Sequence, residues 1–170
     1  MRAYPACVMM MVAMEISVLI EASLEENLEV SWLEGVVAQT LIAENVDPAS
    51  EVGLAVVGQE RIRELNLRYL GEDRATDVLA FAMLPESAQE AAAPFVAPPD
   101  GLKHLGEVII SYPQAVSQAE ERRHPVKREM SILIIHGVLH LLGYDHDEPE
   151  REQKMRAREA EILGMIGGLE

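Results

Sequence analysis

The sequence predicts an α+β fold: a single domain in which a small, mixed, four-stranded sheet packs with about five helices around a buried histidine-bearing helix. Three observations predict this fold. Apolar residues make up 49% of the 170 residues, which is enough for one hydrophobic core. Short β-branched segments alternate with helical ones early in the chain, and helices gather later. One late segment is apolar on every side, as a buried central helix is.

The first three elements are a strand, a helix and a strand. Residues 16–20 and 51–57 are short and rich in β-branched side chains, which predicts strands. Between them, Ser31 and Glu34 have the spacing of a capping box, and this predicts a helix from Ser31 to about residue 44. Because a helix separates the two strands, we expect them to pair in parallel.

The remaining elements follow from the same signals. We predict a helix at residues 59–70, strands at 78–83 and 105–111, and helices at 113–123, 125–142 and 148–166. Residues 85–104 are rich in Ala and Pro and predict a mobile loop. Residues 1–13 are expected to be a disordered extension, or to precede a natural start at Met14, so that one domain covers residues 14–170.

The charge of the chain is strongly acidic but unevenly spread. The formal net charge is −15, which by itself argues against a nucleic-acid partner. Residues 1–60 carry a net charge of −9, residues 61–135 only −2, and residues 136–170 −4. The acidic excess therefore lies mostly outside the later part of the chain, and RNA is not excluded. A single cysteine, Cys7, excludes a disulfide framework and favours a cytoplasmic location.

The histidines carry the clearest chemical signal. His136, His140 and His146 fall within eleven residues, in the block H-G-V-L-H-L-L-G-Y-D-H. The first two are four residues apart on an apolar helix, so their Cβ atoms are expected ~5–6 Å apart on one face. Gly143 allows the chain to reverse after the helix and bring His146 back. Three neutral nitrogens with one open coordination position are typical of a catalytic zinc site.

The histidine spacing is also compatible with alternatives to a catalytic zinc site. Each histidine could instead be a core residue with its own buried hydrogen-bond partner. If a metal binds, one zinc ion per chain is the first expectation, and nickel, cobalt or manganese also suit such ligands. The spacing resembles that of the metzincin peptidases, but their motif has a glutamate base beside the first histidine, where this chain has Gly137.

A second resemblance is closer. The histidine block resembles the signature of the YbeY family, bacterial metal-dependent endoribonucleases that act in ribosomal RNA maturation. Two further blocks agree: Leu65-Asn66 through Thr76-Asp77-Val78-Leu79-Ala80-Phe81, and Leu105-Gly-Glu-Val-Ile109. The resemblance covers about residues 14–166. It implies an α+β fold, a zinc ion held by the three histidines, no membrane, and a role in 16S rRNA processing and small-subunit quality control.

The chain departs from the family pattern beside the site. The family commonly has an arginine implicated in RNA cleavage where this chain has Leu70. Because leucine cannot bind a phosphate, we expect Arg68 or Arg74 to supply the phosphate contact, unless both are ordinary surface residues. Asp77 and Asp145 are candidates to orient a ligating histidine, as carboxylates near zinc sites often do.

A second basic cluster precedes the histidines and is a candidate for steering RNA, although it also fits a solvated helix face. It consists of Arg122, Arg123, Lys127 and Arg128.

Together these observations predict a metal-dependent endoribonuclease that cuts single-stranded ribosomal RNA, with the ribosome or small-subunit assembly proteins as partners. Two alternatives stay open: a metzincin-like zinc peptidase, and a metal-stabilised assembly factor that binds RNA without cutting it. The oligomeric state is not readable from the sequence.

Overall fold

The computed structural model describes residues 14–83 and 101–167 and confirms the predicted α+β class. A short 3₁₀ helix at Ala22–Asn27, which was not predicted from the sequence, follows the first strand. The other elements in chain order are β1 (Glu15–Ile20), α1 (Val30–Ala43), β2 (Ser50–Val57), α2 (Gln59–Leu70), β3 (Val78–Ala82), β4 (Lys103–Ser111), α3 (Tyr112–Arg122), α4 (Val126–Leu141) and α5 (Pro149–Met165).

The four strands form one mixed sheet in the order β1-β2-β4-β3. The first three strands in this order are parallel, and Val18 pairs with Leu54, which in turn pairs with Val108. This arrangement confirms the expected parallel pair with a helical crossover. Strand β3 is antiparallel to β4 and forms one edge of the sheet, with Leu79 opposite Ile109.

The two faces of the sheet are covered unequally. One face packs against α1 and α4 and forms the main core, where Val52, Leu54 and Val56 of β2 are buried. The opposite face meets α2 through a much smaller buried cluster of Ile62, Leu79 and Ile109. Alternating side chains of each strand therefore serve two different packing surfaces.

Helix α4 lies at the centre of the main core and packs very closely on β4. A Cβ atom added at Gly137 would lie 2.4 Å from Cγ1 of Val108, so only glycine fits this contact. Ten residues of α4 are buried, including Ile134, Ile135 and Val138. The prediction of a buried central helix in this segment is confirmed, and α4 is a rigid base for the side chains that it carries.

Several predicted boundaries were wrong. Helix α1 begins at Val30, with Glu29 at its N-cap and no side-chain cap, so the capping box at Ser31 does not form. Pro125, the predicted first residue of α4, occupies its N-cap instead, so the helix begins one residue later at Val126. The loop predicted at residues 85–104 ends earlier, because Lys103 already pairs with Ser50 in the sheet.

The rest of that predicted loop, up to residue 100, and the predicted extension at residues 1–13 lie outside the described residues. None of the helices within residues 14–83 and 101–167 has the length and apolar character that a membrane crossing demands.

Candidate functional site

The three histidines are positioned by two different kinds of backbone. His136 and His140 project from α4 and are half-buried, whereas His146 is exposed in the loop that follows. Gly143 has a φ of 94°, a left-handed conformation that glycine adopts without strain. The amide of Tyr144 donates to the carbonyl of Leu139 at 3.0 Å, which closes the helix end and turns the loop back.

The imidazole rings of these histidines cluster. Their centroids are 4.6 Å apart for His136 and His140, 5.1 Å for His140 and His146, and 6.3 Å for His136 and His146. The Nε2 atoms of His136 and His140 lie 3.1 Å apart. Two nitrogens that share a tetrahedral zinc ion at ~2.0–2.1 Å would lie about 3.3 Å apart. The helical pair therefore has the spacing that one ion requires.

His146 is the histidine whose ring lies too far from that of His136 for a shared ion. Rings that bind one zinc ion through Nε2 would have centroids about 5 Å apart, so the separation of His136 from His146 is roughly 1 Å too wide. Consistently, no three His, Cys, Asp or Glu side chains within residues 14–83 and 101–167 converge closely enough to hold an ion as they stand. The chemistry of the donor set fits zinc, and a small movement of the exposed His146 loop would complete it.

A carboxylate on α5 orients the first histidine. Nδ1 of His136 lies 2.6 Å from Oε1 of Glu159, and both side chains are mostly buried. A proton on Nδ1 donated to this carboxylate leaves Nε2 free to act as a ligand. Glu159 was not predicted from the sequence, because 23 residues separate it from His136 and only the packing of α5 on α4 brings the two together.

The environment of His140 favours its neutral form. Burial lowers the pKa of its imidazole, and the neighbouring His136 and His146 lower it further. A neutral imidazole is the state in which histidine binds a metal.

The loop that carries His146 is held at two points. Oδ1 of Asp145 accepts a hydrogen bond from the amide of His146 at 2.6 Å, and this bond is the main reason that the pKa of Asp145 is lowered. The hydroxyl of Tyr144 donates to Oε2 of Glu44 at 2.9 Å, and Arg158 donates to the same carboxylate. Asp145 thus acts on the backbone of a predicted ligand rather than on an imidazole ring.

Asp77 lines an open cavity together with the three histidines, but its side chain makes no hydrogen bond to any of them. Oδ1 accepts from the amide of Val78 at 2.9 Å, and Oδ2 accepts from Nε2 of Gln118 at 3.0 Å. These bonds fix the turn before β3 and its contact with α3. The predicted role of Asp77 in orienting a histidine stays a prediction, whereas Glu159 makes such a contact.

A cavity of about 820 Å³ opens beside the three histidines. Strand β3 forms one wall together with Leu70, and the loop after α4 forms another. Neither Arg68 nor Arg74 is among the lining residues, and Arg74 instead pairs with Glu72 at 2.7 Å. Among the described lining residues, the one that carries a guanidinium group is Arg151, in the first turn of α5. The phosphate contact predicted for Arg68 or Arg74 stays a prediction.

The second basic cluster is partly neutralised. Nη1 of Arg122 lies 2.6 Å from Oε1 of Glu129, whose side chain is fully buried, and Nε2 of His124 lies 2.9 Å from the other carboxylate oxygen. Nζ of Lys127 lies 5.5 Å from the centre of the Trp32 ring. Arg123 and Arg128 are exposed. A steering role for this cluster stays a prediction, and Arg122 has a structural task that the sequence did not indicate.

Comparisons with known proteins agree with these observations. The family model described as Endoribonuclease YbeY matches residues 17–167. A protein named Endoribonuclease YbeY from Dehalococcoides mccartyi (strain BAV1) is 47% identical over 148 residues, which cover 86% of this chain and 92% of that protein. One of the same name from Moorella thermoacetica is 44% identical over 137 residues, which cover 81% and 86% respectively.

A solved structure is also similar. The solution structure of TM1509 from Thermotoga maritima has a TM-score of 0.55 and 26% sequence identity, and the match covers 88% of this chain and 90% of that one. All of these matches extend over most of the chain, and the residues matched by the family model include the histidine-bearing helix. The chain belongs to the YbeY family.

Proposed function

We propose that this protein is a zinc-dependent endoribonuclease that cuts single-stranded RNA during 16S rRNA maturation and ribosome quality control in the cytoplasm. One observation carries the proposal: three imidazoles cluster at the wall of an open cavity, two of them with the spacing that one metal ion requires. The names of the relatives support a nuclease, and the donor chemistry supports the metal.

His136, His140 and His146 would hold the ion. When bound, zinc supplies a Lewis acid that polarises a phosphate oxygen and lowers the pKa of a water molecule to about 7. Two further residues would position these ligands without binding the ion. Glu159 fixes the ring of His136, and Asp145 fixes the backbone of His146.

The shape of the site favours a single strand. The histidines are reached through the cavity between β3 and the loop after α4, and two of the three are half-buried. The backbone must therefore bend into the cavity to bring a phosphodiester to them, which a flexible single strand does more easily than a stiff duplex. The net charge of −15 predicts weak non-specific binding, so the ribosome or a small-subunit assembly protein is expected to present the RNA.

The peptidase alternative lacks a place for its base. That mechanism needs a carboxylate beside the first histidine, and this position is Gly137, where any side chain would collide with Val108. The alternative of an assembly factor that binds RNA without cutting it predicts retained RNA binding and no cleavage that a chelator inhibits.

The test compares purified full-length protein with its His140→Ala variant. Wild type is expected to contain about one zinc ion per chain and to cut a single-stranded fragment of ribosomal RNA, while the variant does neither. Equal metal content in the two proteins would refute the site, and equal cleavage would identify the activity as a contaminant. Products with 2′,3′-cyclic phosphate ends would indicate attack by the ribose hydroxyl, and products without them attack by water.

A further inference from the structure

The described cavities of this molecule include a second one that continues from the histidine site. It has a volume of about 370 Å³ and shares Gly143, Tyr144, Asp145 and Arg151 with the larger cavity. Lys154 lines the second cavity but is not among the lining residues of the larger one. We take the two neighbouring cavities together as one path beside the histidines, because Arg151 lines both of them and Lys154 lines the second.

The charges along this path differ from those of the whole chain. Arg151 and Lys154 are both exposed and lie three residues apart on α5, so they face the same side of the helix. Asp145 is the carboxylate that lines the second cavity, and its Oδ1 accepts a hydrogen bond from the amide of His146. The second cavity thus has a positive balance on a protein whose net charge is −15.

Both cations are available to a ligand. Nε of Arg151 lies 3.5 Å from Glu148, and the two side chains are 61% and 68% exposed, so this ion pair is weak and easily exchanged. Lys154 has no ion-pair partner within the described parts of the chain. A guanidinium and an ammonium group on one helix face can contact neighbouring phosphates of a single strand.

We propose that Arg151 and Lys154 form a phosphate-binding subsite that holds the RNA backbone next to the phosphate at the histidines. This inference rests on the proposed function and specifies the path of the substrate. It also assigns to α5 a phosphate contact of the kind that the sequence led us to expect from Arg68 or Arg74. Leu70 contributes an apolar side chain to the larger cavity, whereas the two cations of the path, Arg151 and Lys154, lie on α5.

The test measures the affinity of a fluorescent single-stranded RNA for the full-length, metal-loaded protein, under conditions where the strand stays uncut. We expect Arg151→Ala and Lys154→Ala each to weaken binding about fivefold at 0.1 M salt and to reduce the slope of log Kd against log salt by about 0.7. The double variant should lose about twice that slope. Glu148→Gln, which removes the competing carboxylate, should tighten binding.

Arg61→Ala is the matched control. Arg61 is 57% exposed and pairs with Glu64 at 3.2 Å, three residues along its helix, but it lines neither the histidine cavity nor the one that continues from it. It should leave both the affinity and the salt slope unchanged, which separates a local subsite from a loss of general positive charge.

Replacement of single phosphates by neutral methylphosphonates locates the contact. The neutral linkage that weakens binding to wild type should have no effect on the Arg151→Ala variant. If wild type binds and cuts RNA but the double variant has the wild-type affinity and salt slope, the subsite is refuted and the proposed function stands. If wild type binds no RNA at any salt concentration, the proposed function and the subsite are refuted together.

Discussion

The helical histidines and the loop histidine of this protein show two ways of positioning a candidate ligand. His136 and His140 lie on a buried helix, which holds their Nε2 atoms 3.1 Å apart. His146 stands in an exposed loop, 6.3 Å from His136 between ring centroids. The core of the protein thus fixes two candidate ligands, whereas the third lies on an exposed loop. A site built in this way can bind an ion strongly without enclosing it.

The largest expected effect comes from removing a helical histidine. A zinc ion bound with ~10–16 kcal/mol by about four ligands loses roughly 2.5–4 kcal/mol with each of them. We expect His140→Ala to weaken zinc binding about a thousandfold, and His146→Ala only about a hundredfold, because the preformed pair on α4 survives the second change. Competition with a fluorescent chelator measures both. A larger loss for His146→Ala would reverse the roles of helix and loop.

The second prediction concerns the rigidity of α4. A methyl group at Gly137 would collide with Val108, so Gly137→Ala is expected to lower the free energy of unfolding by about 1–3 kcal/mol. For a chain of this length, each kcal/mol lowers the Tm by roughly 2–4 °C.

Gly35→Ala is the control for this helix substitution. Gly35 lies in α1, and no atom is within 4 Å of the position that its Cβ would take. This variant should gain up to ~1 kcal/mol from the better helix propensity of alanine. Thermal unfolding followed by circular dichroism compares the two, and equal Tm values would contradict the close packing of α4 on β4.

The third prediction concerns the carboxylate behind His136. Glu159→Gln keeps the shape of the side chain but removes the charge that orients the ring through Nδ1. We expect zinc affinity to fall ~10–100-fold with little change in Tm. Glu161→Gln, on the same helix but paired with Arg158, is the control and should retain the wild-type affinity. If both variants bind zinc equally well, Glu159 has no role at the site.

The smallest effect on zinc affinity is expected from Tyr144, which lies in the loop of His146. Tyr144→Phe removes the hydroxyl that donates to Glu44, a hydrogen bond worth ~0.5–1.5 kcal/mol. Because this bond holds the loop of His146 only indirectly, zinc affinity should fall by no more than about fivefold. Tyr112→Phe, at the start of α3, should leave the affinity unchanged. A loss as large as that of His140→Ala would mean that the loop, and not the helix, organises the site.

The sequence predicted those features that depend on local periodicity. The helix of His136 and His140, the turn at Gly143 and the parallel pair of β1 and β2 all follow from residues close together in the chain. The capping box at Ser31 was wrong, because Val30 already lies within α1 and Glu29 occupies the N-cap without a side-chain hydrogen bond.

The features that the sequence did not reveal depend on contacts between distant elements. Glu159 reaches His136 from another helix, and Arg122 is used to neutralise the buried Glu129. Arg151 was overlooked because it lies outside the motifs that resemble the family, and only the packing of α5 places it at the cavity. Motif spacing can indicate a candidate set of metal ligands, but it cannot identify the charged residues that tertiary structure adds.

We infer that the three histidines form a zinc centre for RNA cleavage, and removal followed by restoration of the metal tests this claim. Purified wild-type protein is stripped with a chelator, dialysed and assayed on single-stranded ribosomal RNA before and after addition of zinc. We expect cleavage to disappear with the metal and to return at about one equivalent of zinc per chain, but not in the His140→Ala variant. Cleavage that persists in metal-free protein would contradict the claim.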